Sequence, residues 1–219
     1  DIMLAIDVST SMLAEDLKPN RLEAAKDVAA EFINGRPNDN IGITLFAGET
    51  FTQCPLTVDH AVLLDMIHNI KCGLITDGTA VGMGIANAVT RLKDSKAKSK
   101  VIILLTDGTN NKGDISPMTA AEIAKSFGIR VYTIGVGTNG MAPYPYPVGN
   151  TVQYVSMPVE IDEKTLTEIA GTTDGNYFRA TSNSKLKEVY EEIDKLEKTK
   201  LNVKEYSKRD EEYHWFALA

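Results

Sequence analysis

Three short polar runs in this chain carry the residue types that hold a hard cation. They are Asp7-Val-Ser9-Thr-Ser11, Ile75-Thr-Asp-Gly-Thr79 and Thr106-Asp107-Gly108. Asp-x-Ser-x-Ser lets alternate residues of a tight loop point at one spot, and Thr79 and Asp107 add a hydroxyl and a second carboxylate. None of the three runs supplies a thiolate or an imidazole. An all-oxygen donor set suits Mg²⁺ first, with Ca²⁺ or Mn²⁺ as alternatives, and disfavours Zn²⁺. Two carboxylates offset a divalent charge and three neutral hydroxyls leave the ion electrophilic. Mg²⁺ usually keeps waters in its shell, so a position stays open to an outside oxygen. Turn or helix capping explains Asp7, Ser9, Ser11 or Thr79 taken singly. It does not explain why Asp107 stands at the end of a different apolar run.

The elements that must bring these runs together are legible as apolar segments. Ile2–Ile6, Ile41–Phe46, Val101–Leu105 and Val131–Val136 are near-continuous apolar stretches, the pattern of strands covered on both faces. Helical spacing runs through Arg21–Asn34, Ala61–Ile70, Val81–Leu92, Met118–Phe127, Glu163–Ala170 and Ser184–Leu196, and Ser116-Pro117 reads as an N-cap and first helical residue. Strand–helix alternation predicts a doubly wound α/β fold: a mostly parallel central sheet with helices on both faces. Asn176–Arg179 adds a short strand, and Thr50–Leu56 a short antiparallel edge strand, because Pro55 cannot sit in a central ladder. In such sheets ligands bind beyond the carboxyl ends of the strands, where the three runs fall.

Residues 138–160 interrupt the alternation. Their Pro/Tyr-rich start reads as a stiff connector in preference to a recognition ledge, while Thr151–Ser156 alternates as a hairpin strand would. The domain is expected to span 1–197, with 198–219 a charged tether. The final run from Tyr213 to Ala219 reads equally as the opening of a membrane helix or as a terminal strand. The abrupt start at Asp1, with no signal peptide, suggests an excised piece.

Charge and composition exclude several classes. A net charge of −7 gives no basic face for nucleic acid, and no stretch approaches the roughly 20 apolar residues of a membrane span. Cys54 and Cys72 are too few for a disulfide scaffold and read as two buried thiols, although an oxidising compartment would favour pairing. His60, His68 and His214 lack metal or triad spacing and read as structural. Met12, Glu49, Asn110, Asn111 and Asp114 are candidates for a rim that reads a partner; loop residues of this kind are more often solvated bystanders.

Asp7-x-Ser9-x-Ser11, the later Thr79 and Thr-Asp107-Gly, in this order, resemble the metal-ion-dependent adhesion site of the von Willebrand factor A family, also found in integrin I domains. The resemblance implies direct ligation by Ser9 and Ser11. Asp7, Thr79 and Asp107 would ligate directly or through water, and an Asp or Glu of a protein partner would complete the shell. A narrower resemblance lies in Asp7–Asp16, Pro19–Leu22, Leu105–Gly113 and Gly135–Thr138, which look like bacterial aerotolerance (Bat) proteins. That group implies a domain anchored in the bacterial inner membrane by flanking helices and facing the periplasm. Other Bat proteins and a MoxR-type AAA+ ATPase system would be its partners, and Tyr213 onward would approach a removed transmembrane helix.

The function read from these residues is a metal-dependent protein-binding module, not an enzyme. The alternative is a Mg²⁺-dependent phosphoryl-transfer or hydrolytic enzyme. It is disfavoured because the chain has no Gly-x-x-x-x-Gly-Lys-Ser/Thr loop, no Gly-x-Ser-x-Gly elbow and no second acid beside Asp7. A third reading is a structural domain in which the ion only stiffens loops.

Overall fold

The computed structural model describes residues 1–148 and 151–198. The elements run β1 (Ile2–Asp7), α1 (Arg21–Asn34), β2 (Ile41–Phe46), β3 (Thr50–Thr57), α2 (His60–His68) and α3 (Val81–Leu92). They continue through β4 (Val101–Thr106), α4 (Pro117–Ser126), β5 (Arg130–Val136), β6 (Gly140–Val148), β7 (Thr151–Val159), α5 (Glu163–Thr172) and β8 (Tyr177–Ala180). A final helix, α6, covers 183–198, and a single 3₁₀ turn, Thr10–Leu13, follows β1.

The main sheet has the order β3-β2-β1-β4-β5-β8, parallel except for β3, the antiparallel edge strand on which Pro55 is exposed. Because successive side chains of a strand point to opposite faces, each apolar strand feeds two cores. Ile2, Leu4 and Ile6 pack with Leu22 and Ile33 of α1, Leu63 and Ile67 of α2, and Leu186 and Ile193 of α6. Met3 and Ala5 pack with Val81 and Ile85 of α3, Ala120 and Ala124 of α4, and Leu166 and Ile169 of α5. The doubly wound arrangement follows from that two-sided burial.

Side-chain caps fix where the helices start. Asn20 accepts the Glu23 N–H, Asp59 that of Val62, Ser116 that of Thr119 with Pro117 next, and Asp162 that of Thr165.

The register levels the strand ends. Ile2 lies opposite both Ile41 and Val101, and Val101 opposite Arg130. The carboxyl ends of β1 and β4 therefore finish side by side, with Asp7 and Asp107 at one rim. The chain winds outward in both directions from β1 and β4, so this rim is the topological switch point.

The Pro/Tyr-rich stretch is not a connector. It forms strand β6, paired along its whole length with β7 in a separate antiparallel ribbon. Prolines at alternate positions fit a strand whose outer edge needs no donors. Residues 199–219, with the tether and the aromatic run from Tyr213, lie outside the described residues. Among the described residues no helix is long and apolar enough to cross a membrane.

Candidate metal centre

Asp7 ends β1 inside the protein, fully buried, and Asp107 follows β4 with 3% of its surface exposed. Asp7 Oδ1 accepts the Ser9 N–H at 2.9 Å, which bends the loop back toward the sheet. Its Oδ2 accepts the Thr106 hydroxyl at 2.6 Å. The Ser11 hydroxyl donates to Asp107 Oδ1 at 2.7 Å and lies 3.0 Å from that of Ser9. Since Ser11 spends its one proton on Asp107, Ser9 is the donor in the second contact. Lone pairs on both hydroxyl oxygens then remain for a cation.

Neither serine is spent on capping. The 3₁₀ turn that starts after Ser9 has no side-chain cap bond. The same holds for Thr79: the N-cap of α3 is Ala80, without a side-chain cap. The backbone there is held from across the rim instead. Asn111 Oδ1 accepts the Thr79 N–H at 2.9 Å and Asn110 Oδ1 that of Gly82 at 3.4 Å. The Thr79 hydroxyl sits against the loop after Asp107, where a Cβ on Gly108 would lie 3.3 Å from it. Thus Asp7, Ser9, Ser11, Thr79 and Asp107, scattered over a hundred residues, share one rim.

The rim candidates divide. Glu49 and Asp114 are exposed, with Glu49 accepting from Thr76 at 3.3 Å. Asn110 and Asn111 brace the start of α3. Met12 does not belong to the rim: it is fully buried in the core, because the 3₁₀ turn rotates it inward beside Leu17 and Leu22. His60 and His68 bond backbone carbonyls of Asp39 and Leu64. His214 lies outside the described residues. Both cysteines are free; Cys54 is buried and the half-buried Cys72 points its thiol at the Ser9 carbonyl, 3.3 Å away.

Sequence reasoning missed Arg21. This side chain, 1% exposed, joins Asp107 Oδ2 at 2.7 Å through Nη1. Through Nε and Nη2 it holds Asp16 at 2.7 and 2.6 Å. Asp16 in turn accepts the Thr138 N–H at 2.8 Å, at the root of the β6–β7 ribbon. Gly137 has φ 123° and lies so close that a Cβ would meet the guanidinium at 2.5 Å. A signal existed in the sequence: Arg21 opens α1, the end where the helix dipole disfavours a cation. Asp77 was also missed as a brace; it accepts the N–H and hydroxyl of Thr10 at 3.0 and 2.7 Å and so fixes the serine loop to the threonine loop.

The electrostatics fit a divalent cation. Burial, and then repulsion from Asp107, pushes Asp7 up to about 7. Burial also raises Asp107 despite Arg21. Asp16 contrasts: burial works upward, but the hydrogen bonds from Arg21 and Thr138 overcome it and hold the carboxyl at about 2. Asp7, Asp16 and Asp107 with Arg21 leave a formal charge of −2, three carboxylates against one guanidinium. Among the described residues no three His, Cys, Asp or Glu side chains are placed to hold a metal ion by themselves, so hydroxyls must complete any shell here. That donor set favours Mg²⁺, Mn²⁺ or Ca²⁺ over softer ions.

The comparisons with known proteins agree with this geometry. The family model described as von Willebrand factor type A domain matches residues 1–192. BatB from Bacteroides thetaiotaomicron is 35% identical with a TM-score of 0.79, over 90% of this chain and 98% of that one. An aerotolerance-related membrane protein from Bacteroides fragilis is 34% identical with a TM-score of 0.76, over 89% and 98%. A proximal thread matrix protein of the mussel byssus, with zinc in its adhesion-site motif, is 25% identical with a TM-score of 0.69, over 90% of this chain and 45% of its own. The chain spans only 58 to 60% of the length of the first curated relatives it matches. Because that family model covers residues 1–192 of the 219, the chain belongs to the von Willebrand factor type A domain family.

Proposed function

We propose that this chain is a divalent-cation-dependent protein-binding module whose ion, Mg²⁺ by preference, is completed by an Asp or Glu carboxylate of the partner. The observation that carries the reading is the pair of buried carboxylates, Asp7 and Asp107, set beside hydroxyls with unspent lone pairs. Ser9 and Ser11 would hold the ion directly, with Asp7, Thr79 and Asp107 ligating directly or through water. The bound ion would supply a Lewis-acidic site for an outside oxygen. Arg21 neutralises part of Asp107 and fixes its orientation, while Asp77 and Asn111 hold the two supporting loops. Exposed Glu49 and Asp114 would shape which partner approaches.

Association would be non-catalytic. Likeness to an aerotolerance-related membrane protein supports a membrane-associated setting; the proposed location is the bacterial inner membrane, with the domain facing the periplasm. Other Bat proteins and a MoxR-type AAA+ ATPase system are then its candidate partners.

The test has two arms. Calorimetric titration of Mg²⁺ into the chain should give one site, abolished by Asp7→Ala. Capture of partners from solubilised membranes should require Mg²⁺ and fail with EDTA or with Asp7→Ala. Capture that is indifferent to both would reject the reading.

A further inference from the structure

The β6–β7 ribbon differs in chemistry from the rest of the molecule. Residues 140–159 contain no Asp, Glu, Lys, Arg or His, in a chain that is 24% charged. Every residue from Thr151 to Pro158 is exposed, so β7 shows both faces to solvent, with Val152, Tyr154, Val155 and Met157 among the most exposed apolar side chains.

Register reveals how the two edges of the ribbon differ. Pro143, Pro145 and Pro147 stand opposite Ser156, Tyr154 and Val152, and Pro158 opposite Met141. Proline has no N–H, so these are the non-hydrogen-bonded pairs, in which both residues turn their backbone groups away from the partner strand. The Pro143 carbonyl confirms the direction, because it accepts the Glu15 N–H outside the ribbon at 2.8 Å. The β6 edge is thereby closed: its outward positions lack donors and it leans on the domain. The β7 edge is open. Val152, Tyr154 and Ser156 point N–H and C=O outward, and among the described residues none of these groups makes a hydrogen bond. A neutral edge with three successive outward residues, 152, 154 and 156, ended by Pro158, is a template for another strand.

We propose that this edge pairs with the same edge of a second copy of the chain, antiparallel about a twofold axis at Tyr154, joining two ribbons into one four-stranded sheet. The spacing is self-complementary. With Tyr154 opposite its own copy, Val152 falls opposite Ser156 and Ser156 opposite Val152, so every outward donor meets an outward acceptor. Charge selects the occupant. A partner of opposite sign finds no charged side chain to read on the ribbon itself, whose nearest carboxylate is Glu15, hydrogen-bonded by the Tyr154 hydroxyl. Two copies, each carrying −7, repel elsewhere and meet here through uncharged strand residues, with Glu15 engaged by the Tyr154 hydroxyl of its own copy. Strand addition of this extent is small for an interface, the class of weak, reversible associations.

Sedimentation equilibrium of the 219-residue chain from about 5 to 500 µM, in EDTA, tests the proposal independently of the metal. The expected result is a monomer–dimer equilibrium. Val152→Pro removes an outward N–H that the β6–β7 ladder does not use, since Val152 already faces Pro147. Tyr154→Pro removes the N–H on the axis itself, which the ladder likewise leaves unused opposite Pro145. Each should weaken dimerisation at least about tenfold with an unchanged circular-dichroism spectrum; should one variant misfold, the other decides. A chain that stays monomeric throughout overturns the proposal, as does a dimer that survives both substitutions.

Discussion

The sheet buries ionised groups at both of its ends, and the two ends behave in opposite ways. At the amino end of the parallel strands, Glu197 of α6 is 3% exposed, yet its pKa is lowered. Burial works against it, but Arg130 at 2.9 and 2.5 Å, Tyr132 at 2.6 Å and Ser99 at 2.7 Å more than compensate. Every lone pair of this carboxylate faces a donor. At the carboxyl end, Asp7 receives the Ser9 N–H and the Thr106 hydroxyl and shares the Ser9 hydroxyl with Ser11, but no cationic side chain faces it, and it stands beside another carboxylate. Its pKa rises to about 7. Both carboxylates are buried, so burial alone does not mark a site. A carboxylate whose partners are complete is a staple; one left in deficit of positive charge is a candidate cation ligand.

Glu197→Ala separates the two ends most sharply. It strands Arg130 and the Tyr132 hydroxyl in the interior, and truncating one partner of a buried pair costs about 3–5 kcal/mol. For a chain of this length that is a fall in Tm of about 10 °C, read by calorimetry. The effect has a defined pH window. A carboxylate with a lowered folded pKa contributes stability that is fully present above its unfolded value, near 4.5, and is lost as pH falls through the folded value. The gap between wild type and Glu197→Gln should therefore hold at neutral pH and close in acid. Asp7→Asn in EDTA should cost no more than about 1 kcal/mol, because it removes a repelled charge. If Asp7→Asn proved as damaging as Glu197→Ala, the contrast between the ends would collapse.

Arg21→Met probes the join between the two behaviours. Arg21 belongs to a complete pair with Asp16 and to the deficient rim through Asp107. Its loss leaves two buried carboxylates unpaired, an effect of about 3 kcal/mol in EDTA. Mg²⁺ should recover part of that loss, since it supplies positive charge to Asp107 but not to Asp16. Denaturation with and without Mg²⁺ measures the recovery; none at all would show that Asp107 does not face the ion.

The difference between the ends also explains what the sequence could and could not disclose. Asp7 and Asp107 were legible as neighbours because each sits where an apolar run stops and a parallel sheet brings those stops to one rim; Ser9 and Ser11 follow Asp7 in the same loop, and Thr79 lies in the loop before α3. The strands from Ile41 to Phe46 and from Val101 onward were legible for the same reason, as unbroken apolar segments. Arg21 and Glu197 were not legible as partners of these groups, although the place of Arg21 at the start of α1 was a hint. Each lies in a helix whose other residues explain the helix, and its partner is set by how that helix packs on the sheet, which periodicity does not encode. Met12 was misplaced because loop position was taken for exposure, while the 3₁₀ turn turns the side chain inward. The Pro/Tyr stretch was misread because alternate prolines deny a central strand but suit an edge one.

Proton competition gives a smaller effect with a clear sign. A carboxylate whose folded pKa is raised destabilises the metal-free protein as pH climbs from its unfolded value, near 3.8, to about 7. Mg²⁺ requires the ionised form, so its affinity should fall about tenfold per pH unit below about 7 and level off above. Titration calorimetry in buffers of different ionisation enthalpy would report the released proton. An affinity flat from pH 5 to 8 would show that Asp7 is not the group displaced.

The smallest expected effect concerns the brace across the rim. Asn111 Oδ1 takes the Thr79 N–H, and Asn111 N and Lys112 N both bond the Thr79 carbonyl at 3.0 and 3.2 Å. Asn111→Ala deletes the first of these three bonds and leaves the backbone pair, so the stability loss should be about 1 kcal/mol. Because Thr79 would remain at the rim but less firmly oriented, Mg²⁺ affinity should drop only a few-fold. Asp114→Ala, a few residues on and exposed, should change neither. If Asn111→Ala instead abolished Mg²⁺ binding, Asn111 would itself be a ligand, and the deficit of charge at Asp7 and Asp107 would no longer suffice to define the site.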